Sequence, residues 1–497
     1  MTDTIHNLIE QLKKLKSEDN WRGIYEKFQP IEELPKNELI WNNHKVLNDV
    51  ALACAKLSET SAIPREIFRD QKAKSDFLKQ QSEYRKYTEQ IRKRCIELEP
   101  KHAGYRSNLA YTYYQNINEL TNQSGRKDGN IKTEIDNFIS AVDDALTLDP
   151  TRVTDLYRKG YILTKVFAKQ ILWDKSDENF GYSTEKSKKV SEKREEGIQT
   201  LRRAISEWEK LNPHNPNEEF PKKRYKKDYI KALYRLSLTY YDKIVNDWDE
   251  SVFALSLRDD ILNNQQIAIN EEDKQNVDKA IQTIKKCCEV DCPPKLLQGV
   301  KQNQQSLEKI AAYSGECEGV DKLYRIGEFF FAKYLILSGS GLKDTEAAIE
   351  SRQYAERYLQ ASLKCERSPQ KSNQDKAYIA ERLARVFISK GEYDQAIFII
   401  ESNHEKKLKY RNNLESVADY ILNTWALAML KSGRIAEAQT ILDIAKKSRK
   451  KTALWKTYFL KGCVFLESDE LELAQENLQR AHQEAERIGK KLLILYS

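Results

Sequence analysis

The sequence predicts an all-α fold assembled from stacked antiparallel helix pairs, and three observations carry that expectation. Over 497 residues there are only 17 glycines and 11 prolines, fewer than the roughly 7% and 5% of average usage. Turn-formers this scarce call for long helices and few loops. Apolar residues then recur at helical rather than strand spacing in one segment after another. Finally, small residues return at corresponding places, with Ala396, Ala438 and Ala474 separated by 42 and 36 residues. A single core rarely grows beyond about 250–300 residues, so a chain of this length is either several domains or an array whose core is added pair by pair.

Taken in order, residues 1–100 read as an N-terminal helical region, possible degenerate repeats without a clean period. Asn20-Trp21-Arg22-Gly23-Ile24-Tyr25 reads as a turn leading into the second helix of a pair, and Pro64 breaks the helix around it. Residues 101–245 read as helix pairs with insertions. Glu97-Leu98-Glu99-Pro100 and Leu146-Thr147-Leu148-Asp149-Pro150 each close a helix, since proline cannot continue one. Each is followed by a new apolar-periodic start: Tyr105, Leu109, Ala110 and Tyr113 in one case, Leu156, Gly160 and Leu163 in the other. A weaker copy uses Leu233, Leu236, Ser237 and Tyr240, with Ala280, Ile281 and Ile284 in its second helix. Residues 246–320 read as irregular and degenerate.

Residues 321–497 read as a C-terminal array, clearest over 377–486. A helix through Leu383, Ala384 and Phe387 stops at Gly391, and a second carries Ala396 and Ile397. The pattern returns through Trp425, Ala426, Met429, Gly433, Ala438 and Leu442, then through Tyr458, Gly462, Phe465, Ala474, Leu478 and Ala481. Residues 324–337 pair with 347–363 more weakly. The reason for the pattern is steric: two antiparallel helices approach closely only where one side chain is small, and larger apolar residues fill the adjacent holes. A glycine between them accepts the positive φ of a tight helix end. Polar or charged insertions at 121–130, 174–196, 212–228 and 246–273 interrupt the array.

These residues together resemble the tetratricopeptide repeat, a helix-turn-helix unit of about 34 residues. The resemblance implies a tetratricopeptide-like α-solenoid, a right-handed superhelix of antiparallel helix pairs, here with charged insertions. It also implies that the first helix of each pair lines a concave groove that holds a partner. The family's groove positions fall on Asn108, Tyr111, Tyr157 and Arg158, on Tyr378, Glu381, Arg382 and Arg385, on Tyr420 and Asn423, and on Lys456 and Phe459. Chaperone-binding members hold a peptide carboxylate with a clamp of two Lys, two Asn and one Arg. Asn108 and Arg158 match two of its places, but Thr154 stands where a Lys belongs, and Ala73 and Phe77 where a Lys and an Asn belong. Carboxylate capture of that kind is therefore not expected.

The charge balance, 83 basic against 76 acidic residues for a net +7, is small for the length and does not by itself indicate nucleic-acid binding. Two basic segments stand out: Lys222, Lys223, Arg224, Lys226 and Lys227, and Lys446, Lys447, Arg449, Lys450 and Lys451. Either they hold phosphates or they solubilise helix ends, where cations also complement the dipole. A mean hydropathy of −0.73 is polar, yet 26 tyrosines and 10% aromatic residues exclude a disordered chain.

No apolar run is long enough for a membrane helix, and residues 1–16 lack the apolar block of a signal peptide, so a cytoplasmic protein is expected. Eight cysteines are mostly isolated. Cys287, Cys288, Cys292 and Cys317 raise the question of zinc, but Cys317 stands alone and no histidine is near, so packed or surface thiols are expected and no metal. Neither a phosphate-cradling glycine loop nor a nucleophile elbow is present. The sequence points to a non-enzymatic scaffold or adaptor for a protein partner, with no cofactor and no small-molecule substrate. The alternatives are an RNA- or ribonucleoprotein-associated subunit, for instance of a nucleic-acid-triggered defence complex, and a regulator of a protease or transcription factor encoded nearby.

Overall fold

A computed structural model describes residues 2–59, 70–122, 129–167, 184–212, 225–255, 271–291, 319–364, 373–408, 414, 416–448 and 454–487. The described residues are helical, with no strand among them. The chain divides into two compact units, the first formed essentially by residues 1–170 and the second by 179–497.

Unit 1 opens with α1 (Thr2–Ser17) and the short α2 (Trp21–Glu26), followed by a 3-10 turn at Ile31–Lys36 and the single-turn α3 (Glu38–Trp41). Then α4 (His44–Ser58) packs on the long α5 (Gln71–Leu98), α5 on α6 (Ala103–Asn122), and α6 on α7 (Gly129–Leu148). α7 leans on α8 (Val153–Tyr161), which a π-helical segment, Ile162–Phe167, prolongs. Helices α5 and α7 stop at Leu98 and Leu148, two residues before Pro100 and Pro150, as proline's missing N–H requires. The core at the start of the unit gathers Leu12, Ile24, Phe28, Val46, Leu47, Val50, Cys54, Ile91 and Cys95. The Pro64 expectation lies outside the described residues.

Unit 2 runs α9 (Thr184–Leu211), α10 (Lys226–Leu255), α11 (Glu271–Asp291), α12 (Gly319–Leu337), α13 (Glu346–Lys364), α14 (Asn373–Ser389), α15 (Tyr393–Leu408), α16 (Asp419–Lys431), α17 (Ile435–Lys447), α18 (Leu454–Glu467) and α19 (Leu471–Arg487). Each packs on the next, and α12, α14, α16 and α18 also touch in sequence, which makes this unit an α-solenoid of helix pairs. The Lys/Glu-rich stretch 184–196 belongs to α9, and 246–255 continues α10. The described parts of the 174–196 and 246–273 stretches are thus helical. At the α11–α12 junction Lys322 and Asp291 form a buried ion pair.

One turn geometry recurs within the pairs. Gly391 and Gly433 both sit at φ +79°. Beyond them the amide of Glu392 donates to the Phe387 carbonyl at 2.9 Å and that of Arg434 to the Met429 carbonyl at 2.9 Å. These are the six-to-one bonds that close a helix ending in a left-handed residue. The α18–α19 turn makes the same bond, Glu470 to Phe465 at 2.8 Å, with Asp469 at φ 60° in the left-handed place. So does α1–α2, where Asn20 donates to Leu15 at 2.9 Å and Asp19 is at φ 52°. Asn20 adds a cap, its side chain accepting from the Gly23 amide at 2.8 Å.

Beyond the turns, Ala396, Ala438 and Ala474 are buried where second helices meet first ones. A β-carbon at Gly462 would lie 2.7 Å from Leu478 Cγ and 3.3 Å from the Ala474 carbonyl oxygen, and one at Gly327 would meet Leu359 and the Ala355 carbonyl in the same way. Replacing Gly462 by alanine should therefore push α18 from α19 and cost about 1–3 kcal/mol. Urea unfolding of the variant should show a lower midpoint at unchanged slope.

Candidate functional site

The groove positions in unit 2 converge on a ladder of polar and aromatic side chains carried by α12, α14, α16 and α18. Tyr378 on α14 is flanked by Tyr324 on α12, with ring centroids 5.9 Å apart at 82°, and by Tyr420 on α16, at 5.4 Å and 61°. Both contacts have the edge-to-face geometry that aromatic quadrupoles favour. Tyr378 is 37% exposed whereas Tyr324 is buried. The Arg382 guanidinium lies 5.9 Å from the Tyr378 centroid.

Carboxylates tie these helices together. Glu328 of α12 is buried; it accepts from the Tyr324 hydroxyl at 3.2 Å, from Arg382 Nε at 3.2 Å, and from Arg325. Glu381 accepts from the Thr424 hydroxyl at 2.7 Å and faces Arg382 Nη1 at 3.6 Å, while its Oε2 has no hydrogen bond. Asn423 is fully buried and accepts from the Thr457 hydroxyl at 2.9 Å, which joins α16 to α18. Arg385 is buried, with its guanidinium 5.7 Å from the Phe331 ring, and Lys456 and Phe459 are buried too. Burial together with Glu328 holds the Tyr324 phenol well above its ordinary value. Burial together with Glu381 does the same for Tyr420. Burial opposes the charge on Arg325, but Glu328 and Tyr324 more than offset it. The ladder thus presents protonated phenols and charged guanidiniums at neutral pH.

The predicted groove set therefore separates by exposure. Tyr378 offers its ring to solvent, and Arg382 and Tyr420 are half-buried, whereas Glu381, Arg385, Asn423 and Lys456 lie buried among the helices. The sequence reading passed over Glu328, Thr424 and Thr457. The first two had a signal: Tyr378, Glu381 and Arg382 stand 42 residues before Tyr420, Asn423 and Thr424. That register places Thr424 opposite a predicted position, and Glu328 is the acid that a half-buried Arg382 demands.

In unit 1 the predicted residues also gather. The Arg158 guanidinium on α8 is 4.2 Å from the Tyr111 centroid on α6 and 5.8 Å from that of Tyr114. Tyr157 is buried beside Tyr161, with centroids 6.2 Å apart. The Asn108 amide donates to Asn48 Oδ1 at 3.2 Å. Asp155, fully buried, accepts from Ser107 at 2.8 Å and from Arg152 Nε at 2.6 Å, and lies 3.7 Å from Arg158.

Of the two basic segments, only the flanks fall among the described residues. Lys226 and Lys227 open α10, and Lys446 and Lys447 close α17, where they favour the helix dipole. Lys222, Lys223, Arg224, Arg449, Lys450 and Lys451 lie outside. Cys54, Cys95, Cys287 and Cys288 are buried thiols, and burial raises those of Cys54 and Cys95 to about 12. Cys292 and Cys317 lie outside the described residues. Among the described residues no cluster of His, Cys, Asp and Glu has the makings of a metal site, and no helix is long and apolar enough to cross a membrane.

No family model and no curated protein matches the chain. Among solved structures, a human IFIT1 dimer with m7Gppp-AAAA aligns over 97% of this chain and 88% of its own at 13% identity, with a TM-score of 0.32. The Cut9–Hcn1 hetero-tetramer of the APC/C aligns over 95% and 85% at 13% identity and 0.23. The TPR domain of P58(IPK) aligns over 84% and 99% at 11% identity and 0.17.

The ladder's weight on stability is measurable. Thr424→Val removes a hydroxyl at nearly constant volume and leaves Glu381 without a hydrogen-bond donor from α16. The expected loss is about 1–3 kcal/mol, read as a lower urea midpoint, while Tyr378→Ala, at an exposed position, should lose much less.

Proposed function

We propose that this chain is a non-enzymatic helical-repeat scaffold that binds a protein partner along the α12–α14–α16 ladder of unit 2. The observation that carries the reading is the exposed Tyr378 ring between buried Tyr324 and half-buried Tyr420. Tyrosine and arginine dominate the energetics of protein interfaces, because each couples a large contact area to a polar end. Here Tyr324, Tyr420 and Arg382 hold Tyr378 in one orientation, so little freedom is lost when a partner covers it. The same network holds the half-buried Arg382 guanidinium beside the ring, ion-paired with Glu328 and Glu381, as a fixed polar edge for a carbonyl-rich segment. The reading of a nucleic-acid-associated subunit would draw instead on the two basic segments, Lys222 to Lys227 and Lys446 to Lys451.

The test is affinity capture of partners with the full chain and with Tyr378→Ala, each checked for unchanged helicity. A hot-spot loss of about 2 kcal/mol, roughly thirty-fold in affinity, should remove the partner from the variant. A partner retained at full affinity by Tyr378→Ala overturns the placement on the ladder, and one lost on ribonuclease treatment of the wild type overturns the protein-partner reading.

A further inference from the structure

In unit 1 the helices α4, α6 and α8 touch side by side. Asn108 of α6 donates to Asn48 Oδ1 of α4 at 3.2 Å, and Gln115 donates to Glu59, just beyond α4, at 2.9 Å. On the other flank Ser107 donates to Asp155 of α8 at 2.8 Å, and Tyr114 meets Tyr161 edge to face at 5.9 Å. The contacts follow the same order along all three helices, which therefore run parallel. Residues three and four apart share one side of a helix. Lys45, Asn48, Leu52 and Lys56 thus form one stripe on α4, beside Asn108, Tyr111 and Gln115 on α6. Arg158 and Tyr161 continue the face on α8, and Lys165 joins them by donating to the Tyr161 hydroxyl at 3.0 Å.

Charge on this face is one-sided. Lys45 and Lys165 are exposed, and no carboxylate among the described residues pairs with either. Lys56 pairs with Glu59 at 2.7 Å. Arg158 lies 3.7 Å from Asp155, a buried acid that Arg152 Nε already holds at 2.6 Å. Other nearby acids turn away, Asp49 to Lys16 and Glu119 to Arg85. Glu59 is left as the one acid in these stripes, against Lys45, Lys56, Arg158 and Lys165. Two of the cations are held in place by aromatic rings: the Arg158 guanidinium is 4.2 Å from the Tyr111 centroid and the Lys165 ammonium 5.0 Å from that of Tyr161.

We propose that the α4–α6–α8 face of unit 1 is a docking surface for an acidic protein segment. Packed helix axes stand about 10 Å apart, so α4 to α8 spans about 20 Å, the reach of about six extended residues. A segment of that length meets cations at both edges, with neutral Asn108, Tyr111 and Gln115 between them. Complementary charge of this kind steers encounter and fixes which partner is accepted. The cations lie over the tyrosine rings where a base would stack, so the face offers charge rather than an aromatic platform, which favours a peptide over single-stranded nucleic acid. The surface belongs to the other unit from Tyr378, and either reading stands if the other fails.

The experiment titrates the full chain, by fluorescence anisotropy, against three labelled probes: an alternating Glu/Ser peptide of about twelve residues, its Gln/Ser counterpart, and an oligouridylate of similar length. The acidic peptide should bind at low salt and weaken as sodium chloride rises. Lys45→Glu with Lys165→Glu, both at exposed and unpaired positions, should weaken it by about ten-fold or more at unchanged helicity. Lys279→Glu with Lys343→Glu, an equal charge change at exposed positions of unit 2, should leave it unaltered, as should Tyr378→Ala. The proposal is overturned if the acidic peptide does not bind, if the Gln/Ser peptide binds as well, or if the two pairs of reversals act alike. Tighter binding of oligouridylate than of the acidic peptide overturns it too, and makes the face a nucleic-acid surface.

Discussion

At Gly462 the backbone of α18 runs so close to α19 that a β-carbon would collide with Leu478. The array depends on this approach. Helices that come this near can interdigitate their larger residues, and Trp455, Phe459 and Leu460 on α18 are buried, as are Ala474 and Ala481 on α19. In the three C-terminal pairs the close positions stand 12 residues apart, Ala384 with Ala396, Ala426 with Ala438, and Gly462 with Ala474. A left-handed turn residue between them fixes the register. If that residue could not take positive φ, the second helix would start at a different angle and the small residues would no longer face each other.

Close packing of that kind also decides where polar groups can go. Once first helices touch one another, as α14, α16 and α18 do, side chains on their shared edges are removed from water and must find partners. Glu328, Glu381, Asn423 and Thr457 each find one across the helix boundary. A contact between neighbouring pairs specifies their stacking in a way that aliphatic packing alone does not, since a slip by one residue would break every one of these cross-helix bonds. The residues family resemblance assigns to a ligand are thus, in several cases, already spent on holding neighbours in register.

That explains what was legible in the sequence and what was not. The helix pairs of the C-terminal array could be read because Ala, Gly and Leu spacing is a direct imprint of backbone distance. The turn at Asp469 hid because glycine is the usual signal for positive φ and aspartate carries it only occasionally; Asp19 hid for the same reason. The helical character of 184–196 was ambiguous because Lys and Glu serve a solvated helix and a polar loop equally well. Among the candidate site residues, chemical type and register could be read, but exposure could not. Tyr378 and Tyr420 occupy the same register, yet only the first is open, because only Tyr378 lies between two aromatic neighbours without being covered by them.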